Sequence, residues 1–387
     1  MIAVEPPRSG ENGVVQLVVG PDKFKGTLTA VEAARAMARG WWRVDPRADI
    51  HEVPVADGGE GTLETMLAAL GGRTERVRVT GPLGEPVDAE FGLADGPHGL
   101  LAIVEMARAS GLRLVTEEGR DPLRATTFGT GELIRAACAH GPGRVLVCIG
   151  GSATNDGGAG MAQALGVRLL DDEGRELPPG GAALERLARI DLNGLDRAVS
   201  RVEMVVATDV RNPLIGPNGA SAVYGPQKGA TPEDVALLDR VLGHFAAVIH
   251  RDLGLDLRHE PGAGAAGGLG AGLVAFLGAR LRPGFEVVAE ALGLTRRLEA
   301  AQVAITGEGN YDRQTEFGKA PAGFLRMARE SGCRTVLIAG RVGADVDPPA
   351  DMVFSLAERA GEEVALARAG DLVEDAAAEA AEALGKG

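Results

Sequence analysis

The most constraining feature of this chain is a repeated junction, in which a short apolar run ends in an acidic residue set among glycines. Residues 14–20 lead into Pro21-Asp22-Lys23, and 50–55 into Ala56-Asp57-Gly58-Gly59-Glu60-Gly61. Residues 202–207 lead into Thr208-Asp209, and 302–306 into Gly307-Glu308-Gly309. Runs of this length, rich in Val and Ile and not alternating, read as strands buried on both faces of a parallel sheet. In such sheets ligands bind beyond the carboxyl ends of the strands, near helix N-termini whose free N–H groups favour anions. One acid at such a place is ordinarily a helix cap. Four of them, three with glycines close by, point to a site.

Helical patterns follow these loops. Val31, Ala34, Met37, Ala38 and Trp41 fall on one stripe, and Thr29 with Glu32 spells a capping box. Leu63, Met66, Leu67 and Leu70 form a second stripe. Residues 144–150 read as a strand that feeds Gly150-Gly151-Ser152-Ala153-Thr154-Asn155-Asp156-Gly157-Gly158 and then a helix over 159–165. Thr231-Pro232-Glu233-Asp234 opens the longest helix, with Leu237, Leu238, Val241, Leu242, Phe245 and Ile249 expected to be buried. The Ala- and Glu-rich tail from 362 reads as one closing helix.

The repeated strand, loop and helix make the chain α/β, and its 387 residues call for two domains. The strands at 302–306, 335–339 and 352–355 share the rhythm of the N-terminal ones, whereas 73–282 is richer in long loops. The expectation is a discontinuous parallel-sheet domain from 1–80 and 285–387, with an α/β domain inserted over 81–284.

Composition narrows the partners. A net charge of −14 with no basic stripe argues against nucleic acid. No stretch approaches ~18 apolar residues, so no membrane span is expected. Residues 1–13 lack a signal-peptide pattern and read as an added arm. Cys138, Cys148 and Cys333 form no CxxC pair, which fits a reducing, cytoplasmic setting. The 57 glycines, about twice the usual share, are bunched rather than repeated, which favours specialised loops. Of 40 basic residues only five are Lys, and Lys23, Lys25, Lys228 and Lys319 all lie in Gly-containing loops. A compact ammonium suits a phosphate subsite.

Two familiar patterns fail their context. Gly262-Ala263-Gly264-Ala265-Ala266-Gly267 matches G-x-G-x-x-G but follows Arg258-His259-Glu260-Pro261, not an apolar strand, so it reads as a mobile or ligand-facing loop. Around Ser152 the string G-G-S-A-T lacks the last Gly of a nucleophile elbow. The six histidines show no zinc spacing, and no P-loop signature is present. The residues by themselves reach an anion-binding α/β enzyme.

The ordered motifs PDKFKGTL, VADGGEGT, TTFGTGEL, IGGSATNDGGAGM, ATDVRNPL, GPQKGA, PGAGAAGGLGAG and GEGNYDRQTEFGKAP resemble the class I glycerate kinase family over nearly the whole chain. In the last motif Asn310-Tyr311 stand where many members carry Arg-Leu. The resemblance implies two α/β domains, one Rossmann-like, with the active site in the cleft between them. It also implies phosphorylation of D-glycerate to 2-phosphoglycerate with ATP and Mg2+, with a homodimer left open. Phosphoryl transfer needs positioning and charge neutralisation above all. On that reading Asp22, Lys25, Asp209 and Lys228 are the catalytic candidates, and either Asp22 or Asp209 accepts the hydroxyl proton. Asp57 and Asp209 are the metal candidates. Lys23, Gly58, Gly59, Glu60, Gly151, Ser152, Thr154, Asn155, Asp156, Arg211, Asn212, Glu308, Asp312, Gln314 and Lys319 are expected to bind substrate or phosphate.

Overall fold

The computed structural model describes residues 14–97, 99–316 and 319–384, so the expected arm at 1–13 and Lys386 lie outside the described residues. The strands in chain order are β1 (Gln16–Val19), β2 (Asp49–Glu52), β3 (Gly72–Thr80), β4 (Pro86–Gly96), β5 (Gly99–Glu105) and β6 (Arg144–Cys148). They continue with β7 (Arg168–Leu170), β8 (Arg189–Asp191), β9 (Glu203–Ala207) and β10 (Arg280–Arg282). The last three are β11 (Val303–Tyr311), β12 (Arg334–Val342) and β13 (Met352–Ser355). The chain forms two compact units, one of Met1–Asp57, Glu64–Leu70 and Phe285–Gly387, the other of Gly58–Leu63 and Gly71–Gly284.

The first unit is built on a five-stranded sheet ordered β13-β12-β11-β1-β2, parallel throughout. Leu17, Val18 and Val19 of β1 are fully buried, as the unbroken apolar run predicts for a central parallel strand. Burial of each such side chain contributes roughly 1.5–3 kcal/mol. Helix Ala30–Trp42 starts at Thr29 with the complete capping box and presents Ala33, Ala34, Met37 and Trp41 to the same core. Its Gly40 allows close approach to the last helix, since a Cβ there would lie 2.0 Å from the Glu374 carbonyl oxygen. That contact explains the Ala-rich tail, whose Ala376, Ala377, Ala380 and Ala381 are all buried. The tail forms two helices rather than one, Glu362–Ala367 and Ala369–Leu384, because Arg368 leaves helical geometry at φ −126°.

The second unit is built on a six-stranded mixed sheet ordered β10-β9-β6-β5-β4-β3. The strands from β5 to β10 pair in parallel, and β3–β4–β5 form an antiparallel meander. The boundary expected at residue 80 falls at the end of β3, which is hydrogen-bonded along its length to β4. The polar, half-exposed sequence of β3 (GRTERVRVT) carries no apolar run to mark it as part of this sheet. Helix Pro232–Leu253 has its capping box at Thr231 and Asp234 and buries Leu238, Val241, Leu242, Phe245 and Ile249 as its stripe predicts, whereas Leu237, at the edge of the stripe, is only half-buried. No helix among the described residues is long and apolar enough to cross a membrane.

Two further local expectations are corrected. The run at 302–306 does not end in a loop at Gly307. It continues as β11, with Glu308 opposite Ala339 and Asn310 opposite Arg341. Glycine permits this, because a Cβ at Gly307 would sit 2.0 Å from the Ile338 carbonyl oxygen. Residues 262–267 are not a free ligand-facing loop either. Gly262, Gly264 and Gly267 are buried, and Gly267 adopts φ +69° with its missing Cβ 2.0 Å from the Thr154 carbonyl oxygen.

Candidate functional site

In the first unit the predicted acids gather at the carboxyl edge of the parallel sheet. Asp22 follows β1, its N–H donating to the Gly307 carbonyl at 2.8 Å and its Oδ1 accepting the Lys23 N–H at 2.7 Å. It is only 8% exposed, and burial pushes its pKa up to about 6, with the negative charge of Asp57 acting in the same direction. Lys23 and Lys319 oppose that shift. Glu308 on β11 is equally buried, and burial together with the charges of Asp22 and Asp312 pushes it up to about 8. Its Oε1 has no hydrogen-bond partner. Asp22, Asp57, Glu308, Asp312 and Lys319 therefore act on one another electrostatically. At neutral pH the cluster is set to hold a proton on Glu308, and a cation or a proton beside Asp22 relieves its remaining repulsion.

The flanking candidates have plainer surroundings. Lys25 is exposed at the tip of a turn closed by mutual Phe24 and Leu28 backbone hydrogen bonds, with Gly26 at φ +86°. Asp312 accepts from Asn310 Nδ2 at 2.8 Å and from the Thr315 N–H at 3.3 Å, which caps the short helix Arg313–Glu316 that carries Gln314. Asn310 thus serves Asp312, while its neighbour Tyr311 is fully buried against Leu325, Leu337 and Ala339. Lys319 occupies the position before helix Ala320–Glu330, half-buried.

In the second unit the glycine loops meet at the carboxyl ends of β6 and β9. Gly58 has φ +80°, and a Cβ there would lie 2.6 Å from Ala207 Cβ. A Cβ at Gly150 would lie 3.2 Å from Gly59 Cα. Glu60 pairs with Arg113. Gly151 is exposed, whereas Ser152, Thr154, Asn155 and Asp156 turn inward. Lys228 is 2% exposed, and its Nζ donates to Ser152 Oγ at 2.8 Å and the Thr154 carbonyl at 2.6 Å. Burial lowers its pKa to about 7, against the favourable charge of Asp156.

Asp156 is the internal anchor of this loop. Its carboxylate accepts from the Thr127 N–H at 2.8 Å and hydroxyl at 2.9 Å, and from the N–H groups of Gly158 and Gly160 at 3.1 Å each. Asn155 Nδ2 donates to Ser221 Oγ at 2.9 Å. These two side chains hold the loop rather than reach out from it. Asp209 and Arg211 lie on the exposed segment after β9, and Asp209 Oδ1 accepts the Gly284 N–H at 2.8 Å. Asn212 accepts the Tyr224 hydroxyl at 2.7 Å and donates to the Asn218 carbonyl at 2.9 Å, so its amide is used at both ends.

One residue of consequence is missing from the sequence reading. Glu105 ends β5 on an apolar run as the other junction acids do, but the short helix Ala107–Ser110 follows it in place of a loop, and the strand-then-loop pattern passes over it. It is buried and accepts the N–H groups of Gly61 and Leu63.

Comparison with known proteins gives a consistent picture. The model of the Glycerate kinase family matches residues 17–385. A glycerate kinase of Halalkalibacterium halodurans is 48% identical over 89% of this chain and 91% of its own length. The glycerate 2-kinase of Escherichia coli is also 48% identical, over 86% of this chain and 87% of its own. A crystal structure of a protein assigned as glycerate kinase 2, from Salmonella typhimurium, superposes with a TM-score of 0.88 at 46% identity. It covers 96% of this chain and 99% of that one.

Proposed function

The chain belongs to the glycerate kinase family and is a kinase, and from that premise we propose that it transfers the γ-phosphoryl group of ATP to the 2-hydroxyl of D-glycerate. The observation that carries the reading is the cluster of Asp22, Asp57 and Glu308 with Lys319 at the carboxyl edge of a fully parallel sheet. Phosphoryl transfer requires a proton acceptor, cations for phosphate oxygens and a place for the substrate carboxylate. Each requirement has a residue here.

Asp22 is the group we assign to accept the proton of the glycerate hydroxyl. It is buried, oriented by its bond to the Lys23 N–H, and its pKa of about 6 keeps it ionised but basic at neutral pH. Glu308, protonated at pH 7, presents an O–H instead of a negative charge, so it binds an anionic substrate rather than repelling it. Lys319 and the exposed Lys25 supply positive charge for phosphate or carboxylate. In the second unit Lys228 fixes the 150–156 loop from inside, through Ser152 and the Thr154 carbonyl.

The residues fit a magnesium ion by donor chemistry. No three His, Cys, Asp or Glu side chains among the described residues form a group suited to a metal. Mg2+ characteristically takes one or two carboxylates and completes its shell with phosphates and water. Asp57, beside Asp22 in the first unit, is the carboxylate we assign to it. Bound there with nucleotide, the ion supplies neutralisation of phosphate charge. The three free, buried thiols suit a reducing compartment, and we place the reaction in the cytoplasm.

The test is ADP release from Mg-ATP with D-glycerate, L-glycerate, tartronate or no acceptor, with the product assigned by phosphorus NMR. D-Glycerate should give the highest kcat/KM, and the product signal should be that of the 2-phosphate. Turnover that does not depend on an acceptor would refute the function, and a 3-phosphate product would refute the regiochemistry alone.

A further inference from the structure

Glu105 closes β5 with 2% of its surface exposed. Its Oε1 accepts the Gly61 N–H at 3.0 Å and the Leu63 N–H at 2.9 Å. Its Oε2 takes Arg108 Nε at 2.9 Å, and Arg108 Nη1 is held in turn by Glu90 Oε1 on β4 at 2.7 Å. A buried carboxylate is tolerated only when it is paired and hydrogen-bonded, and both oxygens here are engaged.

The two amides lie at the start of helix Thr62–Leu70, where N–H groups have no intrahelical acceptor. An ordinary cap would come from a neighbouring Ser, Thr or Asp. Here the acceptor is brought 42 and 44 residues along the chain, with its own countercharge. Arg113 of the same segment also pairs with Glu60, but at the surface, where such pairs contribute little. The near end of the loop is set by Gly58 against Ala207 and by Gly59 beside Gly150. Residues 58–61 are therefore fixed at both ends, and Glu105 supplies the grip at the far end.

We propose that Glu105, neutralised by Arg108, is the positioning residue that holds the 58–61 loop in register for phosphoryl transfer. The inference rests on the kinase reading above. It separates from a plain helix cap by what its loss would change. A cap acts on stability alone, whereas a positioning residue acts on turnover, where displacement by about 1 Å can cost on the order of 100-fold.

The experiment compares the full chain with Glu105→Ala, Glu105→Gln and Arg108→Ala, reading amide hydrogen exchange, Tm, kcat and KM for D-glycerate and ATP. In Glu105→Ala, exchange at Gly61 and Leu63 should rise at least ~10-fold relative to β6 amides. The same variant should lose about 100-fold in turnover, chiefly in kcat. Glu105→Gln keeps an acceptor oxygen and should recover at least ~10-fold of that loss, and Arg108→Ala should fall between the two. Unchanged exchange would overturn the proposal. So would faster exchange with unchanged turnover, or a Gln variant no better than Ala whose loss follows Tm. A wild-type protein without glycerate-dependent turnover would instead refute the kinase reading, and the exchange comparison would still decide whether Glu105 holds the loop.

Discussion

Replacing Glu308 by Gln gives a quantitative test of the acid cluster. In the folded protein this carboxyl titrates near 8, against an ordinary value of 4.5. A raised carboxyl pKa means that the folded chain keeps a proton which the unfolded chain has released. Its contribution to stability is therefore fully present below pH 4.5 and is lost as pH rises through 8. At about 1.4 kcal/mol per pH unit, the native protein loses roughly 3 kcal/mol between pH 4.5 and 7 and roughly 5 by pH 9. Gln cannot ionise, so Glu308→Gln removes this dependence. Any constant penalty for seating the amide beside the unpartnered Oε1 position shifts the whole curve without tilting it. The assay is urea denaturation of both proteins from pH 5 to 9 in EDTA, plotted as the difference in unfolding free energy. The difference should climb in favour of the variant up to pH 8 and then level off. A flat difference would refute the claim that burial raises this group. Because Gln mimics the protonated acid, turnover at pH 7 should stay within about tenfold of wild type, whereas Glu308→Ala should lose about 100-fold.

Two further predictions concern the second unit. Lys228 titrates near 7 instead of 10.5, so its contribution is present above pH 10.5 and lost as pH falls through 7. Lys228→Met should therefore gain stability relative to wild type as pH falls through that window, opposite in slope to Glu308→Gln, and lose about 100-fold in turnover as Ser152 and Thr154 are released; a parallel pair of pH curves would refute it. Gly267→Ala should cost at least ~3 kcal/mol, because it adds left-handed strain to a collision with the Thr154 carbonyl, whereas Gly254→Ala at φ +76° in open space should cost about 1 kcal/mol. Equal losses in Tm for the two alanine variants would refute the packing role of Gly267.

The parts legible in the sequence were those in which local chemistry decides the outcome. The apolar run through Leu17–Val19 could only be a buried strand, and the Thr29–Glu32 and Thr231–Asp234 pairs each begin a helix. Asp22 and Glu308 were legible as site residues because strand-end position and glycine neighbours are both written in the chain. What lay beyond reach depends on partners distant in sequence. Strand β3 is polar and is fixed by its pairing with β4, and Gly307 extends a strand only because Ile338 approaches so closely. The inward turn of Asp156 depends on Thr127, and the role of Glu105 on amides 42 and 44 residues before it. The glycines at 262–267 show the same limit: their pattern suggested freedom, but Pro213 and Thr154 press against them.

The order of strands in the first unit has a consequence for how the protein is made. Its interior strand β1 pairs with β11, and the side-chain bond from Thr306 to the Gly20 carbonyl joins residues 286 apart. At synthesis rates of ~5–20 residues per second, β1 waits on the order of 15 s to a minute for that neighbour. The long stretch Gly71–Gly284 emerges during the interval with all six strands of its own sheet in hand. On the ribosome every strand of the second unit's sheet is therefore made before β1 can meet β11, and the strand made earliest waits for a neighbour made near the end.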